Sequence, residues 1–352
     1  MRKIQRPAIS LFALGGTIAS ASREGGDGAD VSLTSLDLVA AVPGLDSIAN
    51  VRAHTFRQVP SGDLTMQDAL ELVAAIQLEI VRGAHGIVVT QGTDTIEETA
   101  FALDLLLPTE LPIVLTGAMR NSSLPGADGP ANLLGAVRVA ASAEAQGYGA
   151  LVVFNDEIHA ARFVRKRYTT STATFGSPLT GPVGYIVESR VRFLLRLQGR
   201  IHIQLAALPE AVRVALIPLV FDDDGSLLSD AATAPYQGLV VAAFGGGHVP
   251  ARLVPVLDHL NQRIPVVVAS RTFAGDMLHS TYAYPGGEMD LRSRRLVFAD
   301  AYDAFHARLL LQLLLMARAS RSTIAKTFEA GPSARGTTVV SAESISLGGG
   351  AQ

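Results

Sequence analysis

The sequence predicts an α/β fold of two domains: a larger N-terminal domain with a mostly parallel, doubly wound sheet and a smaller C-terminal α/β domain. Up to about residue 190, short aliphatic and β-branched runs alternate with helix-like segments, which is typical of a parallel sheet covered by helices. A second, shorter alternation begins after residue 210. The 352 residues, 48% of them hydrophobic, are enough for two domains with their own cores.

The N-terminal elements follow from apolar runs and helix start signals. Each predicted strand is short and aliphatic, and each predicted helix begins at a capping box or has a proline in its first turn. The predicted strands are 8–14, 51–57, 86–90, 112–116 and 150–154. The predicted helices are 66–82 with a capping box of Thr65 and Asp68, 99–107 with a capping box of Thr95 and Glu98, and 131–144 with Pro130 in its first turn.

Composition sets the predicted domain boundaries. Residues 1–190 form the N-terminal domain, and 191–210, mixed in charge and without a clear period, are interpreted as a linker. Residues 211–332 form the C-terminal domain, and the Gly-, Ser- and Thr-rich residues 333–352 are predicted to be a flexible tail. In the C-terminal domain we expect strands near 213–217, 238–243 and 265–269 and helices near 250–262 and 303–318.

The residue inventory excludes several classes of function. The formal net charge of −3 provides no basic excess for nucleic acid or an anionic membrane. The chain has no cysteine, which excludes thiol catalysis, disulfides and thiolate metal sites. Its scattered histidines show no zinc-binding spacing, so no metal site is expected. No run is apolar enough to span a membrane.

The N-terminus resembles a secretory signal but is not interpreted as one. Residues 1–6 are basic, an apolar stretch follows, and residues 19–21 resemble a cleavage site. The apolar run is short, is broken by Gly15 and Gly16, and doubles as the first predicted strand. Cleavage would also remove Thr17, so we expect a cytoplasmic protein.

Two threonines at the ends of strand-like runs are the leading candidates for catalysis. Thr17 follows the apolar run 9–13 and two glycines, and Thr93 follows the run 86–89 and Gly92. Open α/β sheets bind their ligands at such strand ends. One glycine–threonine turn would be unremarkable, but two hydroxyls delivered this way suggest nucleophilic chemistry.

One lysine stands out because the chain strongly prefers arginine. Of its 29 Lys and Arg residues, only Lys3, Lys166 and Lys326 are lysines. Lys166 lies between two arginines that could supply surface charge equally well, whereas an amine, unlike a guanidinium, can help to take a hydroxyl proton. A solvated basic loop is the alternative, and the residues alone do not decide between the two interpretations.

With these residues in view, the sequence resembles the bacterial-type L-asparaginase/glutaminase family over roughly residues 8–330. The resemblance rests on motifs around both threonines, after the later strands and around Lys166. These motifs are 14–19, 86–100, 115–120, 127–133, 153–156, the loop from Lys166 to 173–175, and 269–271 in the C-terminal part.

The resemblance implies hydrolysis of L-asparagine to L-aspartate and ammonia through a covalent acyl-threonine, without a cofactor. Minor glutaminase activity is compatible with it. Thr17 matches the nucleophile on a flexible loop, and Thr93, Asp94 and Lys166 match a second, rigid group that activates water or relays the proton. Backbone N–H groups near Thr93 and Ala118 match an oxyanion hole.

Substrate contacts are implied in the same way. Ser61 matches the α-carboxylate contact, and Asp94 matches the α-amino contact. The resemblance also implies a homotetramer of intimate dimers, in which the small domain of a partner subunit completes each site. The residues assigned to substrate binding are Ser61, Gly62, Gly92, Ala118, His248, Tyr282 and Glu288, of which His248 falls where the family usually has an asparagine and Tyr282 or Glu288 falls near the partner-supplied acid.

Two departures from the family pattern lie near the expected site. The loop after Thr17, residues 20–30, lacks the family's tyrosine, and no tyrosine precedes Tyr148. Gly62 replaces a polar side chain that often helps to bind substrate beside Ser61. Because both changes remove side-chain contacts, we expect weaker or broader amide hydrolysis than in a high-affinity asparaginase.

Two alternative functions are compatible with the fold but fit these residues less well than an asparaginase. A non-catalytic amino-acid-binding or regulatory protein of the same fold would explain the missing tyrosine, but binding alone needs no lysine base. The amide-hydrolysing subunit of a transfer-RNA-dependent amidotransferase would call for an additional N-terminal domain, for which there is no room before the first strand. Fold alone separates none of these functions.

Overall fold

Two structural units divide the chain at Leu197. The structure is a computed structural model, and it describes residues 6–22, 28–207, 209–272, 274–332 and 337–341. Lys3 and residues 23–27 of the glycine-rich loop therefore lie outside the described residues. In the described ranges, no helix has both the length and the apolar character needed to cross a bilayer.

Unit 1 is built on an eight-stranded mixed sheet in the order β12-β11-β8-β7-β6-β5-β1-β4. Strands β4, β1, β5, β6 and β7 are parallel, and β8, β11 and β12 extend the sheet in antiparallel fashion. Two short antiparallel pairs, β2–β3 and β9–β10, accompany the sheet. The strands are β1 (Ala8–Gly15), β2 (Ser20–Ser22), β3 (Ala29–Val31), β4 (Asn50–Val59), β5 (Gly86–Thr90), β6 (Ile113–Thr116), β7 (Ala150–Phe154), β8 (Glu157–Ala160), β9 (Arg165–Lys166), β10 (Phe175–Gly176), β11 (Gly184–Val187) and β12 (Arg190–Phe193).

Helices cover both faces of this sheet, so the predicted doubly wound fold is confirmed. The helices are α1 (Ser35–Ala40), α2 (Leu45–Ile48), α3 (Met66–Val81), α4 (Ile96–Leu106) and α5 (Gly129–Ala140). Successive residues of a strand point to opposite faces, and β1 accordingly sends Leu11 into a core with α1, α2 and α5 and Phe12 into a core with α3 and α4. Burial on both faces explains why β1 and β5 are continuous apolar runs.

The helix start signals were right in two of three cases. Thr65 and Asp68 form the predicted capping box at the start of α3, and Pro130 lies in the first turn of α5. The capping box of Thr95 and Glu98 is wrong, because α4 begins at Ile96 without a side-chain cap. The Thr95 hydroxyl instead donates to the carbonyl of Ser61 and accepts from Gln91 Nε2, both at 3.0 Å.

Unit 2 contains a four-stranded parallel sheet in the order β14-β15-β16-β17 and a separate parallel pair, β13–β18. Helix α9 packs on β14 and β15, and α7 and α8 contribute to the core on Leu239 and Val241. The elements are β13 (Arg200–Ile203), β14 (Val214–Pro218), α6 (Asp230–Thr233), β15 (Gly238–Ala243), α7 (Val254–Arg263), β16 (Val266–Ser270), α8 (Glu288–Ser293), β17 (Val297–Phe298), α9 (Ala304–Met316), α10 (Arg321–Ala330) and β18 (Thr337–Val340).

The predicted linker and tail differ from the structure. The interval 191–210 contains most of β12 and all of β13, because its alternating arginines and aliphatic residues support edge strands in spite of their charge. The predicted tail contains β18, whose β-branched residues pair in parallel with β13. The division of the chain at Leu197 nevertheless falls inside the predicted linker.

Candidate active site

Four parallel strands of unit 1 end at one edge of the sheet and deliver the predicted site. The ends are in register, because Ala13 pairs with Thr90 and Thr90 pairs with Thr116. The residues that follow β4, β1, β5 and β6 therefore emerge side by side. They include Ser61, Thr17, Thr93 and Ala118, in the same order as the strands.

A close approach of two backbones joins the two threonine loops. Gly16 has φ +77° and ψ −171°, a combination that is almost confined to glycine. A Cβ atom on Gly16 would lie 2.2 Å from the Cα and N atoms of Gly92. Since Thr17 follows Gly16 and Thr93 follows Gly92, this contact keeps the two threonines near each other.

Lys166 contacts both Thr93 and Asp94, which follow β5. Its Nζ atom lies 2.8 Å from Thr93 Oγ1 and 2.6 Å from Asp94 Oδ1. Thr93 is buried, whereas the Asp94 side chain is 77% exposed, so one end of the group opens to solvent. An amine between a hydroxyl and a carboxylate can accept or relay a hydroxyl proton.

Thr17 lies on a short 3₁₀ turn, Thr17–Ala19, directly after β1. The turn is closed by the N–H of Ala19 and the hydroxyl of Ser20, which both donate to the carbonyl of Gly16. Ile18 and Ala19 are buried, while Thr17 is partly exposed. The turn thus places Thr17, partly exposed, at the sheet edge.

Ser61 is buried beside Gly92. A Cβ on Gly92 would lie 2.8 Å from Oγ and 2.9 Å from Cβ of Ser61, so a larger residue at this position would displace Ser61. The hydrogen bond from Thr95 to the Ser61 carbonyl fixes the turn that carries Ser61. Gly62 follows it as an exposed residue whose would-be Cβ meets no atom within 4 Å, which leaves open space beside Ser61.

The loop after β6 is held by two polar residues of the segment 128–132. The Asp128 carboxylate accepts hydrogen bonds from the N–H groups of Met119 and Arg120 and from the Asn132 amide. Asn132 also donates to the carbonyl of Gly117 at 3.0 Å. These contacts fix the backbone on both sides of Ala118 and give the two polar side chains of the motif 127–133, Asp128 and Asn132, a structural role.

The strand that carries Lys166 is partly buried, so the alternative of a solvated basic loop is wrong. Arg165 is 6% exposed, and its Nε atom lies 3.2 Å from Oε1 of Glu97 on α4. The other oxygen of Glu97 accepts a hydrogen bond from the backbone N–H of Lys166. The sequence reasoning missed Glu97 and Arg165, since nothing local distinguishes a buried ion pair from surface charge.

A buried histidine contacts the end of β10, the strand that pairs with the Lys166 strand β9. His159 on β8 is 1% exposed, and its Nδ1 atom lies 3.0 Å from the hydroxyl of Ser177, which directly follows β10. Its Nε2 atom lies 3.1 Å from the carboxylate of Glu157. Burial lowers the pKa of His159 to about 4 and raises the pKa of Glu157, since burial disfavours both charged forms.

His159 should make the folded state acid-sensitive. Below pH 6.5 the unfolded chain protonates this histidine while the folded chain does not until about pH 4, so stability falls as the pH falls through this window. Between pH 7 and pH 4 the lowered pKa of His159 would reduce the free energy of unfolding by about 3 kcal/mol. The raised pKa of Glu157 partly offsets this loss, because the folded chain takes up the Glu157 proton more readily than the unfolded chain does. Urea unfolding of His159→Gln between pH 7 and 4.5 should show a smaller pH dependence than wild type. An unchanged slope, equal to that of the exposed His259→Gln control, would contradict this expectation.

In unit 2, three predicted partner-site residues form one cluster. His248 Nε2 lies 3.2 Å from Glu288 Oε2, and the rings of His248 and Tyr282 meet edge to face at 5.2 Å. Glu288 is fully buried and also accepts from the N–H groups of Thr281 and Tyr282, whereas Tyr282 is 43% exposed. Glu288 thus holds the cluster together, and His248 and Tyr282 are the members that a ligand can reach.

The structure brings most of the predicted site residues into two groups. Thr93, Asp94 and Lys166 are in direct contact, and Ser61 lies against Gly92. The cluster of His248, Tyr282 and Glu288 belongs to unit 2. Among the described residues, His, Asp and Glu side chains form no group of three that could hold a metal ion.

Comparisons with known proteins agree with these observations. The family models described as "Asparaginase, N-terminal" and "Glutaminase/Asparaginase C-terminal domain" match residues 8–198 and 213–328. A Deinococcus radiodurans protein named "Probable L-asparaginase" is 36% identical over 329 residues, covering 92% of this chain and 98% of that relative. A "Glutaminase-asparaginase" of Pseudomonas fluorescens is 33% identical over 295 residues, covering 80% of each chain. The crystal structure of a "Probable Cytoplasmic L-asparaginase" from Campylobacter jejuni superposes with a TM-score of 0.84 at 29% identity, covering 92% of this chain and 99% of that one.

Proposed function

The chain belongs to the asparaginase family, and we propose that it hydrolyses L-asparagine to L-aspartate and ammonia through an acyl-threonine intermediate. The observation that carries the proposal is the position of Lys166 Nζ, 2.8 Å from Thr93 Oγ1 and 2.6 Å from Asp94 Oδ1. Hydrogen bonds of this length suit proton transfer at a hydroxyl.

In the proposed first step, the Thr17 hydroxyl attacks the side-chain amide carbon of asparagine. Its proton passes to the leaving nitrogen, ammonia departs, and an ester joins Thr17 to the aspartyl group. Attack by water then breaks this ester and returns the proton to Thr17. Thr93 and Lys166 activate the water or relay these protons, and the Asp94 carboxylate, 2.6 Å from Nζ, holds the lysine amine in place beside Thr93.

Preorganised backbone groups support an oxyanion hole near Thr93 and Ala118. Asp128 and Asn132 hold the loop after β6, so the N–H groups at its start need no rearrangement during reaction. A fixed donor of this kind is worth roughly 3 kcal/mol of transition-state stabilisation. The proposal assigns the substrate α-carboxylate to Ser61 with the Gly62 and Gly92 backbone, and the α-amino group to Asp94.

We further propose a homotetramer of intimate dimers in the cytoplasm. In this arrangement His248 and Tyr282 of a partner subunit complete each site, with Glu288 holding them. The exposure of Tyr282 and the contact between His248 and Glu288 support this assignment. The likeness to a structure whose name includes "Cytoplasmic" supports the location.

The proposed activity is tested by ammonia release from L-asparagine and L-glutamine with purified protein. We expect turnover of asparagine, slower turnover of glutamine, and no turnover of either amide by Thr17→Ala. A parallel thermal-shift titration with L-aspartate addresses the non-catalytic alternative. Stabilisation by aspartate without ammonia release, at millimolar substrate and high enzyme concentration, would overturn the proposal.

A further inference from the structure

The position of Lys166 depends on a residue outside the substrate pocket. A lysine side chain has four rotatable methylene groups, and ordering it costs conformational entropy. Its amine is useful to Thr93 only if the backbone of Lys166 is also held. That backbone belongs to β9, a strand of only two residues, Arg165–Lys166, which is too short to hold itself in register.

Glu97 provides the missing attachment. One of its carboxylate oxygens accepts the backbone N–H of Lys166, and the other lies 3.2 Å from Nε of Arg165. Glu97 is 5% exposed and lies in the first turn of α4, four residues after Thr93. The same short segment of chain therefore carries the hydroxyl at one end and the anchor for the lysine strand at the other.

A closed ring of contacts results. It runs from Thr93 along the chain to Glu97, across the hydrogen bond to the Lys166 backbone, and along the lysine side chain back to Thr93 Oγ1. The backbone and the amine of Lys166 are thus both attached to the segment from Thr93 to Glu97, at the start of α4. Small motions of this segment therefore move the lysine amine and the Thr93 hydroxyl together. Such pre-positioning matters because a displacement of about 1 Å can cost about 100-fold in rate.

Arg165 balances the negative charge of Glu97, so that Glu97 can hold the Lys166 backbone without attracting the lysine amine. An uncompensated buried carboxylate close to Lys166 would compete with Asp94 for the lysine ammonium. The guanidinium of Arg165, itself 6% exposed, neutralises Glu97 at short range. Asp94 then remains the carboxylate in hydrogen-bonding contact with the amine.

We infer that Glu97, paired with Arg165, is a positioning residue that sets the reach of Lys166 to Thr93. It acts through the backbone of Lys166 and touches neither the substrate nor the reacting atoms in this role. The inference rests on the proposed function for its kinetic consequence. Its structural consequence, a fixed Lys166 amine, is independent of that function.

The test compares Glu97→Gln with Glu79→Gln, a matched control on α3. Glu79 is also buried, at 3% exposure, and is bonded to Ser10 at 2.6 Å and Arg82 at 2.8 Å. Glu97→Gln should lower kcat for asparagine about tenfold with KM little changed, and Glu97→Ala about 100-fold. Glu79→Gln should lower Tm comparably but keep kcat. Equal kcat losses in the two Gln variants would mean a merely structural role and would overturn the inference.

A second readout keeps the inference testable whatever the activity. Brief acetylation with acetic anhydride, followed by peptide mass spectrometry, measures the reactivity of Lys166 relative to the exposed Lys326 in the same sample. Release of the Lys166 strand in Glu97→Gln should raise the ratio of Lys166 to Lys326 labelling severalfold, with no rise in Glu79→Gln. An unchanged ratio would overturn the inference, whereas absence of ammonia release by wild type would overturn only the proposed function.

Discussion

Lys166→Met is expected to reduce ammonia release from asparagine about 1,000-fold, the scale typical of losing a general acid–base group. The methionine keeps the length and apolar stem of the side chain but removes the amine that contacts Thr93 and Asp94. Stability should change little. The Lys166–Asp94 pair includes a 77% exposed carboxylate, and pairs of that kind contribute less than about 1 kcal/mol.

The matched control for this prediction is Lys326→Met, which removes an exposed lysine on α10 in unit 2. It should retain wild-type kcat/KM. Thr93→Ala should resemble Lys166→Met, and the double variant should lose little more than either single one, because the two groups act as a unit. Steady-state kinetics of these variants, compared at temperatures well below the Tm of each, measure the expected losses. A Lys166→Met enzyme with more than about one-tenth of wild-type turnover would remove the lysine from the proposed mechanism.

Gly16→Ala is expected to destabilise unit 1 and to abolish most activity. Its backbone conformation, φ +77° and ψ −171°, disfavours any residue with a Cβ, which alone costs about 1–3 kcal/mol. The added methyl would also lie 2.2 Å from the Gly92 backbone, so the two loops that carry Thr17 and Thr93 must separate. We expect a total loss of more than about 3 kcal/mol of stability and at least about 100-fold in kcat.

Gly83→Ala is the control that separates the cost of a positive φ from the cost of the steric clash with Gly92. Gly83 has φ +86° after the end of α3, but a Cβ there would meet no atom within 4 Å. This control should lose only about 1–2 kcal/mol and keep its turnover. Urea unfolding and asparagine kinetics of the two variants measure both effects. Equal destabilisation by the two substitutions would show that the contact between Gly16 and Gly92 carries no weight.

The parallel core of unit 1 could be predicted from the sequence because its strands are buried on both faces. The runs 8–14 and 86–90 are almost entirely apolar for that reason, with Ser10 and Thr90 as the polar exceptions, and their observed bounds differ from the predicted ones by at most one residue. The antiparallel strands β8, β11 and β12 were missed. Each of them has only four residues, and β12 (Arg190–Phe193) is half exposed and alternates arginines with apolar residues, a pattern too short to distinguish from a linker.

The site could be predicted only where local sequence carries the chemistry. Thr17 and Thr93 follow glycine turns, and Lys166 stands out because lysine is rare in this chain. Glu97 could not be identified, since its role arises from the approach of α4 to a strand 69 residues later in the chain. The false capping box has the same origin, because Thr95 bonds to the distant Ser61 and leaves its own helix uncapped.

The pairing of β13 with β18 affects the order in which the two units can fold during synthesis. Strand β18 begins more than 130 residues after β13 ends, so the two strands can pair only after those residues have been synthesised. Unit 1 ends at Leu197 and can fold while the ribosome is still producing the rest of the chain. Thr17, Thr93 and Lys166 would therefore come together on the nascent chain well before β18 can pair with β13.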